Sequence, residues 1–83
     1  MSSFTASSVD LRVRQILAAL LRLQAEQVSG AAALGTAPGW DSLKQLEVLG
    51  AIEQEFGLTI GPEEAVDLTS AAALVAYVEK RLG

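Results

Sequence analysis

Asp41-Ser42-Leu43 is the stretch whose side-chain types come nearest to chemistry. A serine hydroxyl becomes a nucleophile only when an adjacent base takes its proton. The chain has no histidine, and the basic side chain closest in sequence, Lys44, is two residues away and does not face Ser42 on a helix. Without cysteine or histidine there is no thiolate or imidazole for zinc or haem, no disulfide framework and no shuttle titrating near neutral pH. No metal site and no catalysis of its own are expected. What remains for Ser42 is to be modified by another protein. A hydroxyl in a helix first turn lies beside unpaired amides and the positive end of the dipole, where a phosphate-linked group is favoured. The plain alternative is that serine is common in first turns and does nothing further there.

Eighty-three residues make a single domain, 1–83, near the size at which one apolar core only just suffices. Aromatics are scarce, so the core must be built from Leu, Val, Ile and Ala, and neither β-alternation nor a hairpin signal is present. The formal charge of −4 argues against a nucleic-acid partner. Residues 1–40 set three arginines against Asp10 and Glu26, a balance of +1, whereas residues 41–83 set Lys44, Lys80 and Arg81 against eight carboxylates, a balance of −5. The second half is expected to steer toward basic partners, although excess acid also serves plain solubility. Residues 1–8 read as a frayed, disordered end and not as a signal peptide. The longest apolar run, Ile16–Leu21, is too short to span a bilayer. No membrane insertion and a cytoplasmic location are expected.

Four elements must position the serine. Leu11, Val13, Ile16, Leu17, Leu20 and Leu21 predict a helix from about Val9 to Leu23, capped by Ser8, with Asp10 in its first turn. A long loop over 24–40 follows, pinned by Leu34 and by a buried Trp40, with Ala31–Leu34 forming at most one helical turn. Asp41 is the natural N-cap of a second helix, Ser42 to Phe56, stopped by Gly57. Its apolar stripe reads Leu43, Leu46, Leu49, Ile52 and Phe56, widened by Val48, with Glu47, Glu53 and Glu55 on the remaining face. Gly50 in mid-helix signals either a close approach or a tolerated cost. Gly61-Pro62-Glu63-Glu64 starts a short third helix, with Leu58, Ile60, Val66 and Leu68 reaching the core. Thr69 is expected to cap a last helix, Ser70–Leu82, with Leu74, Val75, Val78 and Leu82 inward. The fold class is all-α, a small four-helix bundle of three long helices and one short one.

"GWDSLKQLEVLGAIEQEFGLTI", followed by "PEEAVDLTSAAALVAYVEKRL", resembles the acyl carrier protein family of phosphopantetheine-binding carrier domains. The markers are the Asp-Ser-Leu turn, a helix ending Glu-x-Glu-Phe-Gly, a short Pro-started helix and a Leu-Thr-Ser lead-in to the last helix. The resemblance implies that Ser42 accepts 4′-phosphopantetheine from coenzyme A through a phosphopantetheinyl transferase, with Asp41 helping to place the serine. It also implies a thioester carrier of acyl or similar intermediates. Its further partners would be an acyl- or aminoacyl-loading ligase or transferase and downstream synthase or transferase enzymes. Leu43, Lys44, Leu46, Glu47, Gly50 and Glu53 match positions on the family's partner-binding helix, and a monomer is expected.

Several positions depart from the family's fatty-acid-synthesis pattern. Lys44 stands where an acid is frequent, Gly50 where a larger apolar residue is common, Gln54 for glutamate, and Trp40 for a small residue; the loop "SGAAALGTAPG" is poor in acids. These departures favour a specialised stand-alone carrier of a dedicated lipid, polyketide or related secondary pathway over bulk fatty acid biosynthesis. Two other readings stand beside it: an aminoacyl or peptidyl carrier, and a helical adaptor without a prosthetic group that binds through an acidic second helix.

Overall fold

Val9, Val13, Leu17 and Leu21 form an i+4 ladder down one side of the first helix, and the computed structural model, which describes residues 6–28 and 32–82, buries all four. That helix, α1, spans Ala6–Leu21. It begins before the expected Ser8 cap, so residues 6–8 are helical, residues 1–5 lie outside the described residues, and Asp10 falls past the first turn and pairs with Arg14 at 2.8 Å. It also stops short of Leu23, because Arg22 turns to a positive φ of 60°. Leu11, expected inside, is 54% exposed, since it lies across the helix from the ladder.

The loop after α1 makes a 3₁₀ turn at Ala25–Gln27 and then sinks Val28, a core residue that no helical period announces. Ala31 lies outside the described residues. Ala33 forms an isolated antiparallel bridge with Ser70, completed by Leu34 N–H on the Thr69 carbonyl at 2.8 Å and Ala71 N–H on the Ala32 carbonyl at 2.9 Å. Leu34 packs against the core, as expected of a pin, and Trp40 is 1% exposed.

The second helix, α2, spans Ser42–Phe56 and ends at Gly57, whose left-handed φ of 67° lets its N–H reach the Glu53 carbonyl. Its buried residues are Gln45, Val48, Ile52 and Phe56. The expected stripe through Leu43 and Leu46 is therefore displaced: they are 70% and 68% exposed. The reason is rotation. A three-residue step falls about 60° short of a turn, so repeating it from Leu43 to Ile52 carries the stripe to the opposite side.

The third helix, α3, is Pro62–Ala65, and the fourth, α4, is Ala71–Leu82. Ser70, not Thr69, caps α4, its Oγ accepting from Ala73 N–H at 3.1 Å, while the Thr69 carbonyl is taken by Leu34. Ala71, Leu74 and Val78 are buried and Val75 packs against them. Leu82, the terminal helical residue past the last buried position, is 40% exposed. Helix α1 packs on both α4 and α2. The whole is a small all-α bundle, without strands among the described residues.

Helix α3 is held differently. None of its residues is buried, and Val66 at its end is 73% exposed, not in the core as expected. Burying a Val or Leu stabilises by roughly 1.5–3 kcal/mol; α3 has no such contribution and relies on polar contacts. The Glu64 carboxylate accepts from Gly61 N–H at 3.0 Å and from the Tyr77 hydroxyl at 2.9 Å, and Arg81 lies 3.7 Å away and over the Tyr77 ring. The Gly61 amide, and after it the Tyr77 hydroxyl, holds the Glu64 carboxyl below its ordinary 4.5. Partial burial, and after it Glu64, pushes the Tyr77 phenol above its ordinary 10.0.

The signs define a pH window. A carboxyl lowered by folding contributes stability above its ordinary value and loses it as pH falls through the folded one. A phenol raised by folding contributes below its ordinary value and loses that as pH rises through the folded one. The anchor is therefore complete between about 4.5 and 10.0. Thermal melts across pH should show Tyr77→Phe with no alkaline limb of this origin and a shallower acid limb than wild type. Parallel profiles for the two proteins would contradict the anchor.

Candidate functional site

Asp41 adopts an extended backbone, φ −112° and ψ −173°, and its Oδ1 accepts from the Lys44 amide at 2.8 Å. This is the expected N-cap. It makes Ser42 the first helical residue and leaves that residue exposed. The amides of Ser42 and Leu43 have no acceptor within the helix, so the hydroxyl stands at the positive end of a fifteen-residue dipole. An open depression of about 450 Å³ adjoins it, lined by Leu34, Gly35, Ala37, Gly39, Trp40, Asp41 and Ser42.

Lys44 offers Ser42 no base. Its Nζ is held by Glu47 Oε1 at 2.9 Å, one turn along α2 and away from the hydroxyl. Among the described residues no group of acidic residues is placed to hold a metal ion.

The remaining candidate residues divide into two sets. At about 100° per residue, Leu43, Leu46, Glu47 and Gly50 share one exposed face of α2. Gly50 has nothing within 4 Å of where a Cβ would stand, so no backbone approaches it and the glycine keeps the surface open. Glu53, by contrast, is half-buried and turned toward its own chain: its Oε2 accepts from Ile60 N–H at 2.7 Å, stapling the loop that leads to α3. Glu55 is likewise taken, pairing with Arg12 of α1 at 2.7 Å. The carboxylates expected on the exposed face of α2 are thus largely satisfied within the molecule, and the exposed surface beside Ser42 is apolar, with a Lys44–Glu47 pair at its border.

Sequence reasoning missed Gln45. At 8% exposure it is the buried polar side chain of the described core. Its Oε1 accepts from Trp40 Nε1–H at 2.6 Å and its Nε2 donates to the Leu68 carbonyl at 2.7 Å. The signal was available, because Gln45, Val48, Ile52 and Phe56 follow the three-four-four spacing of a true helical face.

Comparison with known proteins agrees with this geometry. The family model described as "Phosphopantetheine attachment site" matches residues 11–78. An acyl carrier protein of Akkermansia muciniphila is 35% identical over 77 residues, which cover 93% of this chain and 96% of the relative. The group that such a site takes is 4′-phosphopantetheine, attached covalently. The residues present fit it: an exposed primary hydroxyl, first-turn amides suited to a phosphodiester, and open space beside it.

Two substitutions in α2 should act in opposite directions. Asp41→Ala removes the cap and is expected to destabilise by about 1 kcal/mol. Gly50→Ala adds a Cβ into open space at a helical φ and is expected to stabilise by up to about 1 kcal/mol. Urea unfolding of both variants checks the pair; a destabilised Gly50→Ala would show that a contact is made there after all.

Proposed function

The chain belongs to the acyl carrier protein family, and we propose that it carries acyl or similar intermediates on 4′-phosphopantetheine joined to Ser42. The group, when attached, supplies the thiol on which cargo is held as a thioester. The chain's own part is presentation. Asp41 fixes the helix start and the attitude of the serine, and the first-turn amides favour the phosphodiester charge. The observation that carries this reading is the exposure of Ser42 as the first residue of a capped helix.

On this reading the protein is a carrier and not an enzyme, its partners taking turns at one surface. A phosphopantetheinyl transferase comes first, then a loading ligase or transferase, then downstream synthase or transferase enzymes. Leu43, Leu46 and Gly50 would offer them a shallow apolar strip, bordered by Lys44 and Glu47. So small a surface suits weak, fast-exchanging contacts in which charge serves orientation more than affinity. Glu53 would act through the loop it staples and not by direct contact. Lys44, Trp40 and Gly50, which depart from the fatty-acid-synthesis pattern, support service in a dedicated lipid, polyketide or related secondary pathway. A cytoplasmic setting belongs to the same reading; among the described residues no helix is long and apolar enough to cross a membrane.

Incubation with coenzyme A and a broad-specificity phosphopantetheinyl transferase, followed by intact mass measurement, tests the proposal. The wild-type chain should gain one phosphopantetheine and Ser42→Ala should gain none. An unshifted wild type, or a shifted variant, would overturn it.

A further inference from the structure

Ser42 is flanked by a buried polar lock that the attachment chemistry does not itself require. Trp40 stands two residues before it and Gln45 three residues after it, and their side chains meet at 2.6 Å through Trp40 Nε1–H and Gln45 Oε1. The segment containing the serine is thereby closed into a short ring. The ring is fastened to the segment between α3 and α4, where Gln45 Nε2 donates to the Leu68 carbonyl at 2.7 Å. Both ends of the contact are shielded, Trp40 at 1% and Leu68 at 4% exposure. An indole can only donate and a carbonyl can only accept. The residue between them must therefore offer one acceptor and one donor, which the glutamine amide does and an aliphatic side chain cannot.

We propose that Gln45 is a positioning residue for the modification of Ser42, holding the first turn of α2 through Trp40 on one side and Leu68 on the other. The proposal rests on the reading of Ser42 as the attachment point. Asp41, Ser42 and Leu43 all face solvent, so their own packing does not fix the attitude of this turn. Two contacts do: the Asp41 cap, which sets where the helix starts, and the Trp40–Gln45–Leu68 relay, which sets how that start is oriented on the bundle. Without the relay, two buried polar groups lose their partner and the turn is free to shift. The exposed strip at Leu43 and Leu46 that a transferase would grip is untouched by that change. Docking should therefore survive while the transfer step slows.

The test is steady-state transfer from coenzyme A by a broad-specificity phosphopantetheinyl transferase, with the carrier as varied substrate. Gln45→Leu roughly keeps the volume and removes both hydrogen bonds; Trp40→Phe keeps an aromatic body but removes the donor together with part of the buried ring volume. Each is expected to lower kcat roughly tenfold, the scale of a sub-ångström misplacement of a reacting group, with KM for the carrier within about twofold. Trp40 is the only tryptophan in the chain, so a shift in its emission in Gln45→Leu reports directly on the lost bond. A merely structural role predicts instead wild-type kcat per folded molecule, with losses that follow the unfolded fraction seen by circular dichroism. That result in folded variants overturns the proposal. Should Gln45→Leu fail to fold, Trp40→Phe decides it alone by the same criterion. An unmodified wild type, with Ser42→Ala as the blank, would instead sink the attachment reading, and this inference with it.

Discussion

One hydrogen bond, from the Lys44 amide to the Asp41 carboxylate at 2.8 Å, decides where α2 begins. Were the helix to start one residue later, the same serine would itself become the cap; one residue earlier, it would move a position further into the first turn. Where it does start, the serine is the first helical residue, exposed and beside free amides at the dipole's positive end. The rest of the bundle serves that boundary. Trp40 seals the residue before the cap into the core, Val48, Ile52 and Phe56 anchor the helix behind it, and the Ala33–Ser70 bridge holds the incoming loop against α4. A domain this small has little stability to spare, and the candidate site depends on few groups: the Asp41 cap, the exposed Ser42 and the buried Trp40 behind them.

The helices themselves were legible because their ends carry chemical punctuation: Asp41 and Gly57 bracket α2, Pro62 opens α3, and Lys80 with Arg81 closes α4. Faces were less legible. An uninterrupted leucine pattern invited a register through Leu43 and Leu46, whereas the core follows the line of Gln45, a polar residue that composition assigns to the surface. Gln45 is inside because tertiary partners, Trp40 and the Leu68 carbonyl, satisfy both halves of its amide. No local rule on either segment reveals a contact across the fold. Val28 and the Ser70 cap were missed for similar reasons, the first in a loop and the second one residue from an equally good candidate.

Charge tells a related story. The excess of acid after Asp41 suggested an acidic docking face, but in α2 each carboxylate has a partner: Glu47 has Lys44, Glu53 has the Ile60 amide and Glu55 has Arg12. What is left uncovered beside the serine is leucine. On the proposed reading, the acidic character of this half acts at longer range, orienting an approaching protein, and contact falls to the apolar strip. Such a division suits a molecule that must be released as readily as it is gripped.

The central claim is that one hydroxyl, at the start of α2, bears the prosthetic group. The most direct measurement is fragment mapping by mass spectrometry of the chain recovered after modification. The account predicts the added phosphopantetheine on the peptide containing Asp41-Ser42-Leu43 and on no other serine-bearing peptide. Finding it on a peptide around Ser8 or Ser70, with residues 41–43 unmodified, would contradict it.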